Sequence, residues 1–164
     1  MLLAPAPLSD AHRLELFDSG TPSLDEWLCR RARGNQVTGA SRTYVVTDGP
    51  ERVVGYYALA SGALAVTAAP GRLKRNMPDP IPMAILGRLA VDRTYQGRGL
   101  GVALLQDAVL RVQAAAAILG IRGVLVHAIS EDAKRFYERH GFVAAPAHPM
   151  TLVLSIAERS SEGG

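Results

Sequence analysis

Apolar residues recur along the chain at two spacings, and the spacing changes at glycine, proline and aspartate. Leu24, Trp27, Leu28 and Ala32 fall three or four residues apart, which predicts a helix from about Ser23 to Asn35. Ser23 stands three residues before Glu26, the spacing of a capping box. From Arg42 to Leu64 the pattern becomes β-branched and aromatic, with Asp48-Gly49-Pro50 in its middle, so two strands joined by a hairpin turn are expected. The proline-rich, basic stretch AAPGRLKRNMPDPIP (68–82) predicts a loop, and MAILGRLAV (83–91) a strand. Val102, Leu105, Val109, Val112 and Ala116 then share one helical face, and Gly120 ends the helix. RGVLVHAI reads as a buried strand, and Ser130 with Glu131 and Asp132 opens a helix that runs through Phe136 and Tyr137 to Gly141. GFVAA and MTLVLSIA supply the closing strands, and the last residues, ERSSEGG, read as a frayed tail. This order predicts one α/β domain over residues 1–164, built on a mixed sheet.

Composition narrows the class. A chain of 164 residues that is 48% hydrophobic can bury a core, which excludes a disordered segment. The net charge of +3 permits a polyanionic partner without requiring one. A lone cysteine, Cys29, excludes an internal disulfide or a cysteine-rich metal site, and no metal is expected. Cys29 lies on the apolar stripe of the first helix and is expected to be buried. The N-terminus lacks a basic, then apolar, signal pattern, and the apolar runs look too short for a membrane span. The expected location is therefore the cytoplasm.

The stretch LGRLAVDRTYQGRGLGVALLQDAV (86–109) passes from strand to helix through Gly97, Gly99 and Gly101. It lacks the Gly-Lys-Ser/Thr ending of a triphosphate loop, and its glycine spacing does not fit a dinucleotide fingerprint. A strand, an open glycine loop and a helix N-terminus can still offer N–H groups to a pyrophosphate, or can simply make a tight turn.

Gln96-Gly97-Arg98-Gly99-Leu100-Gly101 resembles the Gln/Arg-x-x-Gly-x-Gly/Ala signature of the GNAT N-acetyltransferases. SEDAKRFYERHGF (130–142) is similar to that family's second hallmark, with Ser130 where many members have Asn. The resemblance implies a GNAT fold, a mostly antiparallel mixed sheet flanked by helices, with a splayed strand holding acetyl-CoA. It places Leu89, Ala90 and Val91 at the pantetheine arm, the amides of Gln96, Gly97, Arg98, Gly99, Leu100, Gly101 and Val102 at the pyrophosphate, and Ser130, Ala133 and Phe136 at the cofactor. It implies that Tyr137 protonates the departing thiolate.

Longer stretches, from FDSGTPSLDEWLCRRARGNQVTGASRTYVV to VHAISEDAKRFYERHGF, resemble the GNAT toxins of bacterial toxin–antitoxin pairs. That likeness implies acetylation of the α-amine of aminoacyl-tRNA and a block of translation. It also implies a homodimer and a ribbon-helix-helix antitoxin, with operator DNA bound only through the antitoxin. An acetyltransferase for small amines or proteins, and a non-catalytic acetyl-CoA-binding module, remain the alternatives. A neighbouring reading frame for a ribbon-helix-helix protein separates them.

No general base stands out, since His127 sits in an apolar strand and His140 at a helix end, where structural roles are expected. An α-amine titrates near ~7.7–8.0 against ~10.4 for lysine, so an aminoacyl substrate has little need of a base. Arg72, Lys74 and Arg75 form a basic cluster suited to tRNA phosphates, an antitoxin or plain solvent. Arg88, inside an apolar strand, must pair or face a cleft, and a role at the acceptor end of tRNA or the cofactor rim is expected for it; Asn35 either binds substrate or caps a helix.

Overall fold

The hairpin turn at Asp48-Gly49-Pro50 sets the first part of the sheet, as the sequence suggests. The computed structural model describes residues 1–156 of the chain, so the tail expected at 158–164 lies outside the described residues. In chain order the elements are β1 (Ala6–Pro7), α1 (Pro22–Arg30), α2 (Ala32–Thr38), β2 (Arg42–Asp48), β3 (Arg52–Leu64), α3 (Gly71–Lys74) and β4 (Ile81–Val91). They continue with α4 (Leu100–Leu119), β5 (Gly123–His127), α5 (Glu131–Arg139), β6 (Val143–Ala145) and β7 (His148–Ser155). Short 3-10 turns occupy Val66–Ala68 and Arg93–Tyr95. The strand order is β1-β2-β3-β4-β5-β7-β6. β4 and β5 pair in parallel, whereas β1/β2, β2/β3, β5/β7 and β6/β7 pair antiparallel, so the sheet is mixed.

Two compact units make up the chain. The first comprises Met1–Ala60 and Gly87–Ala108. Its core gathers Leu14, Phe17, Leu24, Leu28, Val45 and Tyr56. Tyr56 is fully buried, and its hydroxyl donates to the Leu24 carbonyl at 2.7 Å, which fastens α1 to β3. The second unit comprises Ser61–Leu86 and the chain from Val109 onward, with a core of Leu64, Leu73, Ile81, Met83, Leu125 and Val153.

The first helix differs from the expectation in three ways. It is two helices, because Arg31 leaves helical geometry at φ −119°. The apolar stripe survives the break, since Leu24, Leu28 and Ala32 are all buried. The N-cap is Thr21, with Pro22 at the first helical position, so Ser23 and Glu26 form no capping box. Proline there fixes a helical φ without losing a needed N–H, which pulls the start forward. Finally, Cys29 is exposed rather than buried. It lies one residue round from the core-facing Leu28, beside the exposed Arg30.

The expectation that no apolar stretch reaches membrane length also needs correction. The 20-residue α4 is long and apolar enough to cross a membrane by length and composition. On it Leu104, Leu105, Ala108 and Val112 are buried, whereas Leu110, Ile118 and Leu119 are exposed.

Candidate active site

β4 is an interior strand of the sheet, and interior strands are normally covered on both faces. Its ends are largely buried, but Gly87 is exposed and Arg88 and Leu89 are only half-buried. The parallel register with β5 covers Met83–Leu86, and β4 runs on to Val91. Of the residues read as the pantetheine strand, Leu89 is half-buried and Ala90 and Val91 are buried.

The segment after β4 is tied down from below. Asp92 is 2% exposed, and its carboxylate accepts from Thr94 N–H at 3.0 Å, Thr94 Oγ1 at 2.7 Å and Asp18 N–H at 3.1 Å. Burial alone would raise its pKa, but those hydrogen bonds outweigh burial and hold the carboxyl below its usual range. The Gln96 side chain donates to the Ser19 carbonyl at 3.0 Å and the Val91 carbonyl at 2.8 Å. Gln96 therefore braces the loop with its side chain and leaves its amide free. Arg98 packs its guanidinium over the Tyr95 ring at 5.3 Å, and the Tyr95 hydroxyl donates to Asp48.

Above these anchors the loop is open. Among the described residues no backbone N–H from Gln96 to Val102 has an acceptor, and the first bond of α4 is Ala103 N–H to the Gly99 carbonyl at 3.1 Å. Gly97 and Gly99 have φ of +79° and +82°, and a Cβ built on either meets nothing within 4 Å. Glycine adopts such backbone without strain, and the uncommitted N–H groups give the loop a positive character. The positive end of α4 adds to it. Gly101 is already helical and has no positive φ.

Asp92→Ala should strand three donors, costing about 2 kcal/mol. In a chain of this size that is a fall of about 4–8 °C in melting temperature. The carboxylate's folded pKa is depressed, so its contribution is present above the usual ~3.9 and disappears as pH falls through the folded value. Melts of wild type, Asp92→Ala and Asp92→Asn at neutral pH and near pH 3 check both points: Asp92→Ala gives the cost at neutral pH, and the gap between wild type and Asp92→Asn should narrow in acid.

In the second unit, α5 carries the other hallmark. Ser130 is its N-cap and accepts from Ala133 N–H at 3.1 Å, so both groups serve the helix start. The Tyr137 ring is buried, with Phe136 and Phe142 packed edge-on at 5.2 and 5.3 Å. Its hydroxyl has no hydrogen-bond partner among the described residues, and burial pushes its pKa up to about 12. It is a phenol kept protonated, with its proton uncommitted. His140 bonds the Phe136 carbonyl at 2.7 Å and His127 bonds Thr151 Oγ1 at 2.9 Å, consistent with structural roles.

Arg72, Lys74 and Arg75 are exposed on α3 and its end, and form no ion pair among the described residues. Asn35 directs its side-chain amide to Ser41 Oγ at 3.3 Å, which fastens α2 to the start of β2. The Arg88 guanidinium lies over the Trp27 ring at 4.4 Å. Asp92 and Trp27 were not singled out as site residues from the sequence. An aspartate two residues before a threonine at a strand end was the available sign for Asp92. Among the described residues no three His, Cys, Asp or Glu side chains gather as a metal site.

The family description "Acetyltransferase (GNAT) domain" matches residues 39–144, and the chain belongs to that family. A tRNA-acetylating toxin of Mycobacterium tuberculosis (strain ATCC 25618 / H37Rv) is 52% identical over 152 residues, covering 92% of this chain and 90% of that protein. Among solved structures, AtaT complexed with acetyl-methionyl-tRNAfMet superposes with a TM-score of 0.91 at 27% identity, covering 100% of both chains. An AtaT mutant bound to the C-terminus of the antitoxin AtaR and to acetyl-CoA gives a TM-score of 0.84 at 28% identity, covering 99% of this chain and 98% of that one.

Proposed function

We propose that this chain moves the acetyl group of acetyl-CoA to the α-amine of aminoacyl-tRNA, so that translation stops, and that a cognate antitoxin neutralises it in the cytoplasm. The observation that carries the reading is the 52% identity, over nearly the whole chain, to a toxin named for tRNA acetylation. The open loop of amides and the uncommitted Tyr137 proton support it chemically.

In this reading the amides from Gln96 to Val102 hold the pyrophosphate, and Leu89 to Val91 lie along the pantetheine arm. Ser130, Ala133 and Phe136 complete the cofactor contacts. The neutral α-amine attacks the thioester carbonyl; a C–N bond forms and the C–S bond breaks. Tyr137 gives its proton to the departing thiolate and regains one from solvent, while the amine's surplus proton leaves to water. Arg72, Lys74 and Arg75 hold tRNA phosphates without reading sequence. The antitoxin is of the ribbon-helix-helix type, and DNA is reached through it.

A cell-free translation reaction tests this directly. Added protein should halt synthesis only when acetyl-CoA is present, and fresh aminoacyl-tRNA supplied after acetyl-CoA is removed should restore it. Inhibition that ignores acetyl-CoA would sink the reading.

A further inference from the structure

In the first unit two arginines are half-buried, Arg33 and Arg88. Arg33 donates to the His12 and Ser9 carbonyls, as a structural arginine should. Arg88 has no hydrogen bond and no ion pair among the described residues. Its guanidinium carbon lies over the Trp27 ring, 4.4 Å from the ring centroid. Trp27 in turn stacks on Tyr56, with centroids 6.0 Å apart and planes 11° from parallel. Tyr56 cannot shift, because it is fully buried, bonded to the Leu24 carbonyl and braced edge-on by Phe17 at 5.5 Å. The result is a rigid column, Tyr56–Trp27–Arg88, that ends in a planar cation whose donors are unused.

Arg88 is itself half-buried on β4, so the charged end of the column reaches solvent. A planar guanidinium held by an aromatic ring offers a π-like face and a fork of N–H groups together. Single-stranded RNA is recognised in this way, by stacking bases on aromatic rings or arginine planes while cations hold the phosphates. Every tRNA presents such a strand at its 3′ end, the CCA that bears the amino acid. Resting on the function proposed above, we propose that the Trp27–Arg88 stack is the platform that seats this CCA end. Arg88 is then a positioning residue shared by all tRNA substrates, distinct from the phosphate-holding cluster at Arg72, Lys74 and Arg75.

Trp27 is the chain's one tryptophan, so its fluorescence reports on the column alone. A short RNA oligonucleotide ending in CCA is titrated into wild type, Arg88→Lys and Arg88→Ala, with calorimetry measuring affinity in parallel and thermal melts confirming the fold. The fluorescence of wild type should change and saturate with binding. Arg88→Lys keeps the charge but loses the plane, so it should bind about 10-fold or more weakly, close to Arg88→Ala. Wild-type affinity in Arg88→Lys, or binding that leaves Trp27 fluorescence unmoved, would overturn the platform. The outcome is separable from the function itself. Acetyl transfer without Arg88 dependence defeats the platform alone, and Arg88-dependent CCA binding without acetyl transfer defeats the reaction alone.

Discussion

Tyr137→Phe should lower kcat about 10²–10⁴-fold, the usual value of a general acid, with little change in acetyl-CoA affinity. The phenylalanine keeps the ring edge-packed against Phe136 and Phe142, so the fold should persist. The hydroxyl that is lost has no partner among the described residues, so its removal breaks no hydrogen bond. The variant should therefore melt close to the wild-type temperature while losing its chemistry. The pH dependence has a definite form. Tyr137 stays protonated up to about 12, so it contributes no falling limb below about pH 10. kcat/KM should rise as the substrate amine loses its proton and then stay flat. A well-folded Phe variant of wild-type activity would return Tyr137 to a packing role.

Charge reversal at Arg72, Lys74 and Arg75 should produce the other large effect. The side chains are exposed and pair with nothing among the described residues, so reversing them should leave the fold intact. If each holds one phosphate, the slope of log K against log salt should fall by about 0.9 per contact on duplex RNA-like backbone. Three lost contacts then weaken tRNA binding by roughly 10²–10³-fold near 0.1 M salt. Acetyl-CoA affinity, measured alongside, should hold. An unchanged salt slope would assign the cluster to another partner, the antitoxin first.

The parts of the fold written in short sequence windows were legible. The hairpin needs a turn triplet, the loop needs spaced glycines, and α4 needs one apolar face, each visible within a few residues. The two-residue β1 was not, because its pairing with β2 depends on chain far away in sequence. The start of α1 was misread because two N-cap signals lie close together, and Thr21-Pro22 prevails over Ser23. Burial of Cys29 was misread because the stripe that faces the core is Leu24, Leu28 and Ala32, and Cys29 lies one residue round from it. The site divides in the same way. Tyr137 and the glycine loop are carried by local motifs, whereas the roles of Asp92, Asn35 and Trp27 are set by partners elsewhere in the chain. Asp92 binds Asp18 N–H, Asn35 turns to Ser41, and Trp27 is sandwiched by residues of β3 and β4.

Acetyl transfer to the amino end of aminoacyl-tRNA is the claim on which the rest depends. The direct measurement is mass spectrometry of the 3′-terminal nucleosides, released by ribonuclease from total aminoacyl-tRNA that has been incubated with the protein and acetyl-CoA. Aminoacyl-adenosine heavier by one acetyl group on its α-amine should form with wild type and be nearly absent with Tyr137→Phe. Unmodified aminoacyl-adenosine beside acetylated lysine or small amines in the same reaction would contradict it.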